Sequence, residues 1–162
     1  MSKKNKEHSA EKYNFKFKLE IEQISENECK FILFGRHYSA NDVNRWLSFQ
    51  KRNAYKNSIR QAFLDYFEDN EKKLQIFFDK VIMYSISYNK NSRDDDGNRI
   101  TLKPFRDMLI EKGFIKDDSR KYLFELPNFE VTSSEYKTEV YLKRTDKIPT
   151  REEFLKCLTF LN

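Results

Sequence analysis

Glycine and proline are scarce in this chain, three of each, and cysteine is scarcer, with only Cys29 and Cys157. Two cysteines are too few for a disulfide framework or a zinc site, and each reads as a small buried residue. No apolar run approaches the roughly 18 residues that span a bilayer, so no transmembrane helix is expected. The opening "MSKKNKEHSAEKYNFK" is basic but has no apolar stretch, and does not read as a secretory signal. Internal repeats and low-complexity tracts are absent. These absences point to a single cytoplasmic domain of 162 residues, with a core large enough to fold alone.

What is present is charge and aromatic mass. Phe and Tyr number fifteen and nine, and 35% of residues are charged, with a net charge of +5. That excess permits a polyanionic partner without demanding one. Its distribution is uneven. Lys3, Lys4, Lys6, Lys12, Lys16 and Lys18 make the first residues a basic arm, and residues 1–12 read as a flexible tail.

Along the chain, "NFKFKLEIEQI" (14–24) alternates apolar and charged residues, the period of a half-buried strand, and "ENECKFILFGR" reads as its hairpin partner. Ser39 and Asp42 in "SAND" are placed to cap a helix. Tyr55, Ile59, Ala62, Phe63, Tyr66 and Phe67 fall at helical spacing between 54 and 68. "DKVIMYSISYNK" (79–90) is rich in β-branched and aromatic residues and reads as a central strand. Leu102, Phe105, Leu109 and Ile110 set a second helix that ends at Gly113. "KYLFELPNFEV" and "YKTEVYLKR" are strands, and Pro127 holds the first to an edge or a short length. Thr150 and Glu153 form the capping box of a C-terminal helix over 150–162. The order ββαβαββα predicts an α+β domain, a two-layer sandwich with a mixed sheet and helices mainly on one face.

The stretch 91–122 raises a question of cost, because Asp94, Asp95 and Asp96 stand together and Asp117 and Asp118 follow one helix later. Adjacent like charges repel. A strand end holding Asp94 and Asp96 on one face, with a loop returning Asp117 and Asp118, could gather three carboxylates. Such hard oxygen donors suit Mg²⁺ or Mn²⁺, which keep positions open for water and phosphate. Lys103 and Asp107 share a face of the intervening helix, with Lys103 near its start, where the dipole favours anions. Together these would suit a phosphodiester. "DDDGN" alone could be a solvated turn, which leaves the second acidic pair unexplained. A calcium loop fails, because the required glutamate falls on Lys103. Spacing leaves the metal site and the solvated turn both open.

In this order the residues resemble the RusA-like family of Holliday-junction resolvases, often carried by phages and prophages. The family pattern is matched by Arg93, Asp94, Asp96, Lys103, Asp107, Gly113, Asp117 and Asp118, and "DDSRKY" is similar to its tail. "FILFGRHYSAND" and "RNAYKNSIRQAF" resemble its N-terminal strand and helix, so the likeness spans roughly residues 28–143. The resemblance implies a RusA-like nuclease domain over 13–149, with Asp94, Asp96 and Asp118 binding catalytic Mg²⁺ (or Mn²⁺) and Lys103 aiding hydrolysis. Asp117, Asp107 and Asn98 would support them. It also implies a homodimer that makes paired symmetric nicks in four-way and other branched DNA, without an organic cofactor or a membrane. One departure stands out: Gly97 follows the second aspartate where the family has Asn, and Asn98 comes one later.

Arg36, Lys90, Arg93, Arg99, Arg120 and Lys121 flank the expected site and are the candidate DNA contacts. Asn41 reads as a helix-capping residue, and Trp46 and Phe49 as core. His8 lies in the tail, and His37 alone makes no metal site. Two rivals remain: a branched-DNA-binding protein of the same fold that does not cut, and an interaction module whose acidic loops stay solvated.

Overall fold

A computed structural model describes residues 13–38, 40–69, 78–90, 102–150 and 152–153. The chain begins with the expected hairpin, β1 (Lys18–Ser25) against β2 (Glu28–Phe34), antiparallel and kept in register as far as a bulge near Ser25. A short helix α1 (Ala40–Arg45) and a long one α2 (Phe49–Asp69) follow, then β3 (Val81–Asn89), α3 (Lys103–Glu111), β4 (Leu123–Glu125), β5 (Phe129–Thr132) and β6 (Lys137–Arg144). The six strands form one mixed sheet in the order β1-β2-β6-β3-β4, with β5 pairing β3 beyond β4. Strand β3 is antiparallel to β6 but parallel to β4 and β5. The protein is thus an α+β domain with β3 in the sheet interior.

Pro127 explains the far edge. With no N–H to donate to a ladder, it interrupts what would be one long edge strand, which becomes β4 and β5. The break is not idle: the Asn128 Oδ1 accepts hydrogen bonds from Ser85 Oγ (2.8 Å) and Ser87 Oγ (2.9 Å), two buried hydroxyls of β3.

Alternation fixes which face is buried. Cys29, Phe31 and Leu33 of β2, Val81 and Met83 of β3, and Val140 and Leu142 of β6 point to the helical layer and are fully buried. Phe31 packs edge-on against Phe105 of α3, and both meet Phe63 of α2. Arg60 clamps Glu111 through two 2.7 Å hydrogen bonds, tying α2 to α3. On the opposite face Tyr84 and Tyr141 stack at 4.6 Å. There Glu139 is buried, accepting from Lys137 (3.0 Å) and Tyr141 (2.8 Å). Burial pushes the Glu139 carboxyl up, but those bonds and the nearby Lys30 outweigh it and hold its pKa below the usual range.

Two expectations are corrected. The helix expected over 54–68 starts at Phe49, because Ser48 caps it: its Oγ accepts the Lys51 N–H at 3.2 Å. In consequence Phe49 sits at the first helical position, 68% exposed, and is not core. Trp46 does pack on the core, stacked on Phe15 and edge-on to Tyr55.

Residues 1–12, Ser39 and 154–162 lie outside the described residues, as do the Asn41 and Asp42 side chains, so the tail and the "SAND" cap are not part of this description. The start of the C-terminal helix is described. Thr150 N–H donates to Glu153 Oε2 (2.8 Å) and Glu153 N–H donates to Thr150 Oγ1 (3.3 Å), the expected capping box. The Lys147 ammonium and the Thr150 bonds lower the Glu153 carboxyl to about 2. Among the described residues no helix is long and apolar enough to cross a membrane.

Candidate functional site

Helix α3 carries two residues of the expected site, Lys103 and Asp107. Pro104 in its first turn supplies a pre-set φ where no intrahelical N–H is needed. Pro104, Phe105, Met108 and Leu109 bury one face. Lys103 and Asp107 therefore project outward together, Nζ to Oδ1 at 3.3 Å, with 61% and 51% of their side chains exposed. At that exposure the pair contributes only about 0.3–0.5 kcal/mol, so stability alone gives little reason for it.

The helix stops where glycine allows. Gly113 adopts φ +77°, its N–H bonds to Ile110 O (3.0 Å) and the Phe114 N–H bonds to Leu109 O (2.8 Å). This is a Schellman ending, with Phe114 and Leu109 buried together as its apolar contact. The chain then turns sharply. Asp117 Oδ1 accepts the Ser119 N–H at 3.3 Å, and Ser119 O accepts from Tyr122 and Leu123, both at 3.0 Å. Asp117 is thereby committed to shaping the turn.

Asp118 is not. Its carboxylate is exposed and has no hydrogen-bond or ion-pair partner among the described residues. It lines an open groove of about 650 Å³ together with Arg106, Arg120, Phe124, Glu125 and Ile148. Arg106, one turn along α3 from Lys103, is ion-paired with Glu125 in that groove. Arg120 has no ion pair among the described residues. Lys116 and Lys121 lie 5.0 and 5.2 Å over the Tyr122 ring beside it.

Arg36 and Lys90 are elsewhere, at the end of the sheet where β3 finishes. They meet over Tyr136, a residue that the sequence did not single out. The available signal was only an aromatic just before a strand, and nothing in the order of residues says which cations will share its ring. Arg106 was missed likewise, because on a helical pattern it is one polar residue among several.

Arg93, Asp94, Asp96, Asn98 and Arg99 lie outside the described residues. Of the expected site, α3 carries Lys103 and Asp107, and the turn after it carries Asp117 and Asp118, of which Asp118 shares a groove with Arg106, while Arg36 and Lys90 form a second cluster. Among the described residues no three Asp, Glu, His or Cys side chains gather as a metal group.

His37, next to Arg36, is buried with both ring nitrogens unpartnered and packs edge-on against Phe17 at 5.0 Å. Burial lowers its pKa to about 3. Burial also pushes the Cys29 thiol up to about 12, so it is an inert core residue, as expected. No protein-family model matches this chain, and no curated protein matches it either.

Proposed function

We propose that this protein is a metal-dependent, structure-selective endonuclease of the RusA-like kind, hydrolysing phosphodiesters in branched DNA in the cytoplasm. The observation that carries it is the contrast between the two adjacent aspartates. Asp117 is spent on a turn, while Asp118, unpaired among the described residues, lies in a groove lined by Arg106 and Arg120. An unpartnered carboxylate among cations is an oxygen donor suited to a hard divalent ion, and so fits Mg²⁺. Asp94 and Asp96 would complete the donor set from outside the described residues.

When bound, the metal would supply an activated water and charge neutralisation at the phosphate. The chain's own residues do the rest. Arg120 and Arg106 draw the backbone into the groove, and Glu125 holds the Arg106 guanidinium in place. Lys103, ion-paired with Asp107 and largely exposed, would offer an ammonium for the charge that develops on the departing oxygen. Symmetric nicks in two strands require two such sites about a two-fold axis, hence a homodimer.

The test is a synthetic four-way junction and a matched duplex with Mg²⁺, Mn²⁺ or EDTA. Wild type should nick the junction in pairs with metal only. Asp118→Asn should lower cleavage by more than the roughly 10–100-fold typical of residues that merely support a ligand. Junction binding should persist or tighten as phosphate repulsion falls. Cleavage at the wild-type rate by that variant would remove Asp118 from the site.

A second reading, DNA capture without cutting, is favoured by the Arg36–Lys90–Tyr136 cluster, which can hold a phosphate with no metal, and by Gly97. Metal-independent binding with no nicks under either ion would select it.

A further inference from the structure

The unabsorbed feature is that second cluster. Three chain segments converge at one end of the sheet: the exit of β2, the exit of β3 and the entry to β6. The registers that pair Phe34 and Tyr88 with Lys137 bring them level, and the Gly35 N–H bonds to Tyr136 O at 2.9 Å. Gly35 sits at φ +131°, and a Cβ there would come within 2.6 Å of the Lys16 carbonyl oxygen. The turn therefore needs glycine, and it aims Arg36 across the sheet end.

Arg36 lies 5.5 Å over the Tyr136 ring and 5.0 Å over Tyr38, and Lys90 lies 5.4 Å over Tyr136. Two cations thus share one aromatic ring. That places them within about 11 Å of each other, two like charges over one ring.

Several other cations are paired with carboxylates. Lys137 sits over Tyr88 but is bonded to Glu139, Arg106 is paired with Glu125, and Arg60 with Glu111. Neither Arg36 nor Lys90 has an ion pair among the described residues, and Glu135, beside Tyr136 in the chain, pairs with neither. Both cations are exposed. A ring that gathers two cations with no ion pair among the described residues makes a ready place for an anion.

We propose that Arg36, Lys90 and Tyr136 form a phosphodiester-binding subsite for DNA, with Tyr136 as the residue that positions the two cations. It rests on the nuclease reading for its ligand, and it stands apart from the Asp118 groove. Lys90 is the last described residue before the segment bearing Asp94 and Asp96. The grip itself needs no metal.

The experiment is equilibrium binding of a fluorescent four-way junction in EDTA, across a series of salt concentrations. Each phosphate contact contributes about 0.9 to the slope of log affinity against log salt. Arg36→Ala/Lys90→Ala should therefore lower the slope by about 1.8 and affinity at 0.1 M salt by roughly fifty-fold. A control losing two other exposed charges, Lys56→Ala/Lys143→Ala, should change the slope by less than half as much. Tyr136→Ala should weaken binding while Tyr136→Phe, which keeps the ring, should restore it.

An unchanged slope in the double variant, or a control that loses as much, overturns the subsite whatever the cleavage assay shows. Wild type that binds with the expected slope but never nicks overturns the nuclease reading and leaves the subsite standing. Wild type that binds no DNA overturns both.

Discussion

His37 is a titratable side chain buried in the fold, 4% exposed, with neither ring nitrogen hydrogen-bonded among the described residues. A neutral imidazole buried without partners forgoes hydrogen bonds on both nitrogens, and a charged one would be costlier still. Its pKa therefore falls from 6.5 to about 3 on folding. Between those values the unfolded chain binds the extra proton and the native state does not, so the unfolded state gains as pH drops. The native state keeps its full margin above pH 6.5 and loses about 1.4 kcal/mol per pH unit below it. Urea unfolding at pH 7 and pH 5 should differ by about 2 kcal/mol for wild type from this residue. His37→Phe, which keeps a ring against Phe17, should lose most of that difference. Equal pH dependence in both proteins would show that the imidazole protonates without unfolding.

Among the elements, α3 bears most directly on both core and site. Phe105 is 1% exposed and meets Phe31 at 5.5 Å and Phe63 at 5.2 Å, so it fastens the helix to β2 and α2. Phe105→Ala should cost about 3–5 kcal/mol, read as a lowered denaturation midpoint with an unchanged slope. If the loss is below about 1 kcal/mol, α3 is not held by its buried face. This helix was legible beforehand because its apolar spacing and Gly113 agree on where it ends. The hairpin and β3 were legible too, since alternation and β-branched content report burial directly. Partner choice was not. A period of two says that a face is buried but not which strand lies alongside, so the parallel β3–β4 and β3–β5 pairings came only with the fold. The start of α2 was misplaced because Phe49 is apolar, and only the Ser48 cap shows that such a residue can begin a helix while facing solvent. In the candidate site the spacing of Lys103 and Asp107 could be read, while the different employment of Asp117 and Asp118 depends on which one meets the Ser119 N–H.

For the whole molecule the three readings differ in what stabilises the native state. A ligand that binds only the folded protein raises its stability by about 2.7 kcal/mol at a hundred times its dissociation constant. In a chain of 162 residues each kcal/mol moves the melting temperature by about 2–4 °C, so saturating junction DNA should raise it by roughly 5–10 °C. The nuclease adds a second dependence. Mg²⁺ or Ca²⁺ alone should raise the melting temperature of wild type and leave Asp118→Asn nearly unmoved, since the ion's attraction is to that carboxylate and its partners. A DNA-capture protein responds to the junction but not to the ion. An interaction module whose acidic loops stay solvated responds to neither, and a flat melting temperature across all these conditions would leave Asp118 as surface charge and the groove beside it without a ligand.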